Sequence, residues 1–324
     1  IGSESDTVQE VIEELWERSG GGCCEYNLEP SPDDTAQVIG EILLETSGDV
    51  TICFKPGIYK FSSTVQVAGR KVVLKGCPRA VFADSGAANP MFAVLDGGRL
   101  ELANLVLFAR GTDQVLSLVE LAPSSDLLEA RSTGFFLLPG PAAGNAQVAI
   151  RGAGFQPAAV NPNSPVSPTP LGQIDVAGPA LRLEDCAAAA GWCIAAPAFS
   201  GADLSGCLFY ATAGTLYSNI LANASLAECG FTAGVSLAAI QSWTPDDLLA
   251  SAGAMLEKLA ESIAGDAAQP GSICIRSRAI LSSRIQACAL RAGVGLAATQ
   301  SQDLDLSANS YDCLRCAIYL FDAE

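Results

Sequence analysis

The sequence predicts an all-β solenoid, in which short strands wind into stacked coils, with a helix over one end and one helical insertion. Three observations predict it. A motif of Leu, two residues, Cys, one residue and an apolar residue recurs as LEDCAA (183–188), LSGCLF (204–209), LAECGF (226–231) and, with Ile leading, IQACAL (285–290). LANLVL (102–107) and LSANSY (306–311) keep the pattern without the cysteine. The spacing is regular: Cys186, Cys207 and Cys229 follow one another at nearly equal intervals, and the same interval leads from Cys288 to Asn309. A second motif follows each copy, as AGWCIA (190–195), AGTLYS (213–218), AGVSLA (233–238) and AGVGLA (292–297). Each repeat therefore holds at least two short strands and two turns, and strand repeats of this length stack.

The elements follow in order. In DTVQEVIEELWERS (6–19), Val8, Val11, Ile12, Leu15 and Trp16 share one helical face, Asp6 caps the start, and Gly20 to Gly22 end the segment. Residues 1–22 thus form an N-terminal helix and glycine linker, and residues 23–324 form the solenoid domain. The next helix runs over about 33–45: Asp33 and Asp34 suit its positive N-terminus, and Thr35, Val38, Ile39, Ile42 and Leu43 share a face. From Val50 the period changes to strands, in VTICF, GIYKF, TVQVAG and KVVLKG. Pro56-Gly57 between the first two suits a type II turn. Residues 139–178 are rich in Gly and Pro and read as a loop insertion. Residues 244–265 read as a helical insertion bulging from the stack, with Thr244 as cap, Pro245 at the first position and acids next.

Composition excludes several functions. The chain has 324 residues, is 49% hydrophobic and carries a net charge of −17, so it can bury a large core and would repel nucleic acid and anionic lipid. No apolar run is long enough to cross a bilayer, and no membrane insertion is expected. There is no histidine, which removes the usual general base and any Ser-His-Asp triad. The 12 cysteines fall mostly in apolar repeat positions and read as reduced core thiols, because dense disulfides are a small-domain strategy. No metal or cofactor is expected: CLRC (313–316) is one CxxC without a second pair, and Cys316 falls seven residues after the repeat position, like Cys193 and Gly295, in a column that wants a small residue. The start at Ile1 reads as that of a fragment or a processed chain.

DDTAQVIGEIL, VTICFKPGIYKF with TVQVAGRKVVLKG, and the later LxxC copies together resemble the right-handed parallel β-helix, or pectate-lyase-like, superfamily. The resemblance covers most of residues 24–321 as a fold pattern. It implies a capping helix, a PG-x-Y turn into the first coils, and inward residues flanking a tight bend. Asn104 and Gly206 stand just before the inward position, where a left-handed backbone is tolerated. Cys186, Cys207, Cys229 and Cys288 would form an internal ladder.

This fold hosts many functions. Its polygalacturonase-like members carry Asp-Asp and Gly-His-Gly motifs together; that set is absent here, since there is no histidine and the pairs Asp33-Asp34 and Asp246-Asp247 fall in helix N-terminal turns. The catalytic candidates are Glu184, Asp185, Asp203, Asp303 and Asp305, with Arg182 and Arg284. Stacking would set Arg182 beside Asp203 and Arg284 beside Asp305 as exposed ladder pairs, a structural role. The ligand candidates are Trp192, Tyr210, Tyr217, Trp243 and Tyr319, for stacking on sugars, but with aromatic content of only 6% most are expected to pack internally or under loops. The expectation is a non-catalytic structural or binding module of a larger chain or assembly, such as a phage-tail-like or contractile-injection-type fibre or spike component. The alternatives are a polysaccharide lyase or glycoside hydrolase, or a glycan-binding adhesin. Partners would be other subunits or domains, or a glycan, in a trimer by analogy. Reduced thiols point to assembly in the cytoplasm, as part of a phage-like or extracellular particle.

Overall fold

The computed structural model describes residues 24–85, 89–110, 117–138, 147–153, 155, 178–264 and 268–323. The expected helix at 6–19 and its glycine linker lie outside them. The described chain is all-β, with twenty strands and two α-helices, and every strand pairing is parallel. Strands pair with those of the preceding and following repeats, so the chain winds around one axis. One inward column runs Tyr26, Ile52, Leu74, Leu102, Ala130, Leu183, Leu204, Leu226, Ile285, Leu306. A second runs Tyr59, Phe82, Leu107, Phe135, Ala188, Phe209, Phe231, Leu290, Tyr311. Period-2 alternation sends these residues to the interior and their neighbours outward. Phe209 and Phe231 stack at 5.2 Å, and both are buried. Truncating either to Ala would cost about 3–5 kcal/mol.

Between these two columns the backbone bends sharply at one residue per coil. Asn104, Ser132, Asp185, Gly206, Glu228, Ala287 and Ala308 stand in register, and all have φ between 46° and 61°. The left-handed bend expected at Asn104 and Gly206 is thus present along the stack, including at residues with no local preference for it. The next residue turns inward: Cys186, Cys207, Cys229 and Cys288 are buried, free, and aligned as a ladder that ends at Asn309. The thiols of Cys207 and Cys288 donate across coils to the carbonyls of Leu183 and Leu226, each at 3.5 Å. Asn309 replaces the fifth thiol, accepting from the Cys288 amide and donating to Ile285 O, both at 2.8 Å.

The capping helix, α1, spans Thr35–Glu45. Asp34 is its N-cap, accepting from Ala36 N, and the same carboxylate accepts from Ser62 N and Ser63 Oγ of the second coil. The cap is thereby fastened to the stack it covers. Ile39 and Ile42 point into the core.

Four expectations need correction. Gly57 opens the strand Gly57–Phe61 with φ 157°, far from the ~80° of a type II turn. It is needed because a Cβ there would collide with the ring of Pro30. Cys24 and Cys53 are bridged, so the cysteines are not all reduced; adjacent coils bring their Cα atoms to 5.8 Å, within disulfide reach. The 139–178 stretch is not one loop, because Val148–Gly152 forms a strand between Ser117–Leu121 and the Trp192–Ala195 stretch. Most of its remainder lies outside the described residues.

The helical insertion, α2 at Pro245–Ala264, does not bulge away. It begins with the expected cap, as Thr244 N donates to Asp247 and Asp247 N donates to Thr244 Oγ1. It then lies over outward apolar residues of the sheet, including Val81, Val106, Phe108, Phe136 and Tyr210. Arginines fasten both ends: Arg110 donates to Trp243 O at 2.9 Å, and Arg291 donates to Ile263 O at 2.9 Å. An apolar sheet face that water would otherwise contact is covered by the chain's own insertion.

Candidate functional site

Charge converges on the outward side of the first inward column. Register sets Val73, Glu101, Glu129, Arg182, Asp203, Ser225, Arg284 and Asp305 in one line along the stack. Lys71 and Arg99 flank it on one side, Arg131 and Glu184 on the other. The strands present these residues because each lies between two inward leucines or alanines, as in LEL, LEA and LRL.

Glu129 is the centre. Its side chain is only 10% exposed, and its two oxygens receive Arg99 at 3.2 Å, Arg131 at 3.0 Å and Arg182 at 3.7 Å. Arg99 also reaches Glu101 at 2.6 Å, and Lys71 reaches Glu101 at 2.9 Å. Arg131 continues to Glu184 at 3.3 Å, and Arg182 to Asp203 at 3.8 Å. Four carboxylates and four cations thus neutralise one another. Burial opposes ionisation of Glu101, but hydrogen bonds from Lys71 and Arg99 hold its carboxyl below the ordinary value. An acid catalyst needs the opposite shift.

The structure places the sequence candidates as follows. The expected ladder pairs are present: Arg182 with Asp203, and Arg284 with Asp305 at 3.2 Å. Glu184 and Asp185 do not act as a pair, because Glu184 is in the ladder while Asp185 occupies the left-handed bend with φ 52°. Asp303 and Asp305 separate in the same way, since Asp303 has φ 53° and aligns with the bends at Asn223 and Ser282. Asp tolerates this backbone, which accounts for both bend aspartates.

The aromatic candidates are mostly packed, as the low aromatic content led one to expect. Trp192 is buried against Tyr217, at 5.9 Å, and Phe155 packs against Tyr217 with tilted rings at 5.0 Å. Tyr210 is buried on the sheet face beneath α2, and Trp243 packs edge-on against Phe136 at 5.6 Å. Burial pushes the Tyr210 and Tyr217 phenols up. Tyr319, in contrast, is exposed on the last coil.

The cysteines of CLRC diverge. Cys313 pairs with Ala292 in an interior column, and Cys316 with Val294 in an outward one, because the Ser310–Ala323 strand carries one extra residue between them. Cys316 therefore does not share the column of Cys193 and Gly295, as its sequence spacing suggested. That column runs Cys193, Thr215, Cys274, Gly295, Ala317. Its need for small residues is real: a Cβ on Gly295 would stand 2.5 Å from Ala317 O. Within the thiol ladder, hydrogen bonding to Cys186 pushes Cys207 up to about 12, and hydrogen bonding to Cys207 does the same to Cys229. Both are thiols at neutral pH. Cys186 is the exception, lowered by the hydrogen bond from Cys207.

Sequence reasoning missed Lys71, Arg99, Glu101, Glu129 and Arg131. The signal was present in RLEL (99–102) and LLEAR (127–131), which match LRLE (181–184). Glu101, Glu129 and Arg182 align across long and unequal intervals, which concealed them beside the regular spacing of the cysteines. No protein-family model matches the chain, and no similar curated protein is found.

Proposed function

We propose that this chain is a right-handed parallel β-helix of the pectate-lyase-like kind, acting as a non-catalytic structural and binding module of a larger chain or assembly. A phage-tail-like or contractile-injection-type fibre or spike component is the concrete example. Right-handed winding is supported by the near-universal hand of parallel crossovers.

The observation that carries the functional reading is the last coil. The strand Ser310–Ala323 pairs on one side with Ala289–Ser307, and among the described residues nothing pairs with its other side. It displays Leu314, Ile318, Tyr319 and Phe321, the last 66% exposed. An open apolar coil edge is a template for another strand. At the opposite end α1 covers the first coils. The charged ladder agrees with a scaffold role, since its acids are committed to neighbouring cations.

The second reading, a polysaccharide-active enzyme, draws on one observation: Glu101 and Glu129 share a coil face with Arg99 and Arg182. Incubation with a panel of acidic and neutral polysaccharides separates the two. The module reading expects no new reducing ends and no unsaturated products. Turnover that disappears in a folded Glu129→Gln variant overturns it in favour of the enzyme. Saturable glycan binding without turnover favours the adhesin.

A further inference from the structure

Cys186, Cys207, Cys229 and Cys288 occupy the same place in successive coils of the stack. The amide after each ladder cysteine fixes that place: Leu208 N donates to Cys186 O at 2.9 Å, Gly230 N to Cys207 O at 2.8 Å, and Ala289 N to Cys229 O at 2.9 Å. The side chains also share one orientation. Each sulfur lies 3.2–3.3 Å from the carbonyl oxygen two residues earlier in its own coil, those of Glu184, Ser205, Ala227 and Gln286. Position and orientation repeat, so each sulfur faces the next across about one strand spacing, ~4.8 Å. Consecutive thiols are in hydrogen-bonding contact along the whole row. None is more than 2% exposed.

We infer that this row binds soft monovalent metal ions, copper(I) being the biological one, each held between two consecutive sulfurs. Thiolate is the ligand that selects such an ion over harder cations. An ion about 2.3 Å from each sulfur, the length of a zinc–thiolate bond, spans about 4.6 Å and so fits one interval of the row. Among the described residues no three His, Cys, Asp or Glu side chains are grouped to hold an ion. The row therefore offers an ion two neighbours and not the four that structural zinc takes. Two-coordinate binding suits copper(I).

Charge sets the number of ions. Loading releases one proton from each Sγ to solvent. Three monovalent ions among the four thiolates leave one net negative charge in the core, whereas two ions leave two. Uncompensated buried charge is costly, so the row fills to three, and the sulfurs of Cys207 and Cys229 are each shared by two ions. Entry is short, because the residue before each cysteine is an exposed bend: Asp185, Gly206, Glu228 and Ala287. Asp185 and Glu228 place acids over the row, which draw cations to it. Cys193 and Cys274 show what adjacency adds. They are equally buried, but Thr215 stands between them in their column, so no single ion spans the two.

The test titrates the full chain without oxygen, using copper(I) and, as a probe that does not change oxidation state, silver(I). Excess glutathione is present to strip ions from isolated thiols, and native mass spectrometry counts the ions retained. The native chain should retain three. Cys288→Ser, at the end of the row, should retain two, and Cys207→Ser, an interior position, only one. Cys193→Ser should retain all three. X-ray absorption of the loaded native chain needs no variant and should show two sulfur neighbours per ion; it decides the matter if a variant loses its strand signal in circular dichroism. A native chain that retains no ion overturns the inference. So do equal losses at the end and interior positions, a loss with Cys193→Ser, or three or more sulfurs around each ion.

Discussion

Replacing Glu129 by Gln removes one negative charge and almost no volume, and so isolates what the ladder contributes. Breaking a fully buried ion pair costs about 3–5 kcal/mol, whereas an exposed pair contributes about 0.2–1 kcal/mol. Glu129 lies between these limits: its carboxylate is 10% exposed, but Arg99, Arg131 and Arg182 are 38–60% exposed and keep much of their hydration. Three contacts at the exposed value sum to roughly 0.6–3 kcal/mol, and the buried carboxylate favours the upper part, about 2 kcal/mol. In a stacked-coil protein this loss should stay local. Hydrogen exchange of amides in Leu127–Arg131 should therefore quicken about 30-fold, with smaller changes in Ile273–Gln286. Double-mutant cycles should couple Glu129 to Arg131 and Arg99 more strongly than to Arg182, which stands farther away at 3.7 Å. A loss below about 0.5 kcal/mol, the level of an ordinary surface substitution, refutes the view that Glu129 organises this face.

Three further outcomes follow from the same geometry. Ala287→Asn should stabilise the chain by about 0.5–1 kcal/mol in urea unfolding, because Ala287 sits at φ 51° where Asn is tolerated better; a destabilised variant contradicts that account of the bend. Acid should weaken the cap and the ladder: burial opposes ionisation of Asp34 and Glu101, yet hydrogen bonds from Ser62, Ser63 and Ala36, and from Lys71 and Arg99, hold both carboxyls below their ordinary values. The unfolded chain then binds these protons at higher pH than the folded one, so their stabilisation is complete above about pH 5 and is lost as pH falls through the lowered folded values; Asp34→Asn should flatten this acid limb. Alkylation after denaturation without reductant, mapped by mass spectrometry, should label Cys186, Cys207, Cys229 and Cys288 and spare Cys24 and Cys53; bridged ladder thiols would refute the packing described.

The winding was legible because stacking copies the same demand from coil to coil. Wherever the interval repeats, as from Leu183 to Leu226 and from Ile285 to Leu306, one leucine identifies the next and the whole column follows. The capping helix and the start of the insertion were legible for a local reason, since Asp34 and Thr244 satisfy amides within their own first turns. What remained hidden depended on the third dimension. Gly57 is required by Pro30, which lies much earlier in the chain and in another coil, and no local preference encodes that approach. The covering role of α2 depended on outward residues such as Phe108 and Phe136, which alternation would otherwise leave in water.

The charged face shows why a site is harder to read than a fold. Its central carboxylate and the arginines on it come from three different coils, far apart in the chain and unevenly spaced. Strand alternation told which way each side chain points, and only register told which ones meet. Register also decided roles. Asp185 and Asp303 lie next to, or two residues from, true ladder acids, yet they occupy bends, where what matters is the backbone they accept. Glu129 gave no motif of its own and became the centre because Arg99, Arg131 and Arg182 converge on it. Chemistry in a stacked-coil protein is written across the coils, so candidate acids must be sorted by column before their sequence neighbours carry weight. Sorted that way, these carboxylates hold adjacent coils together.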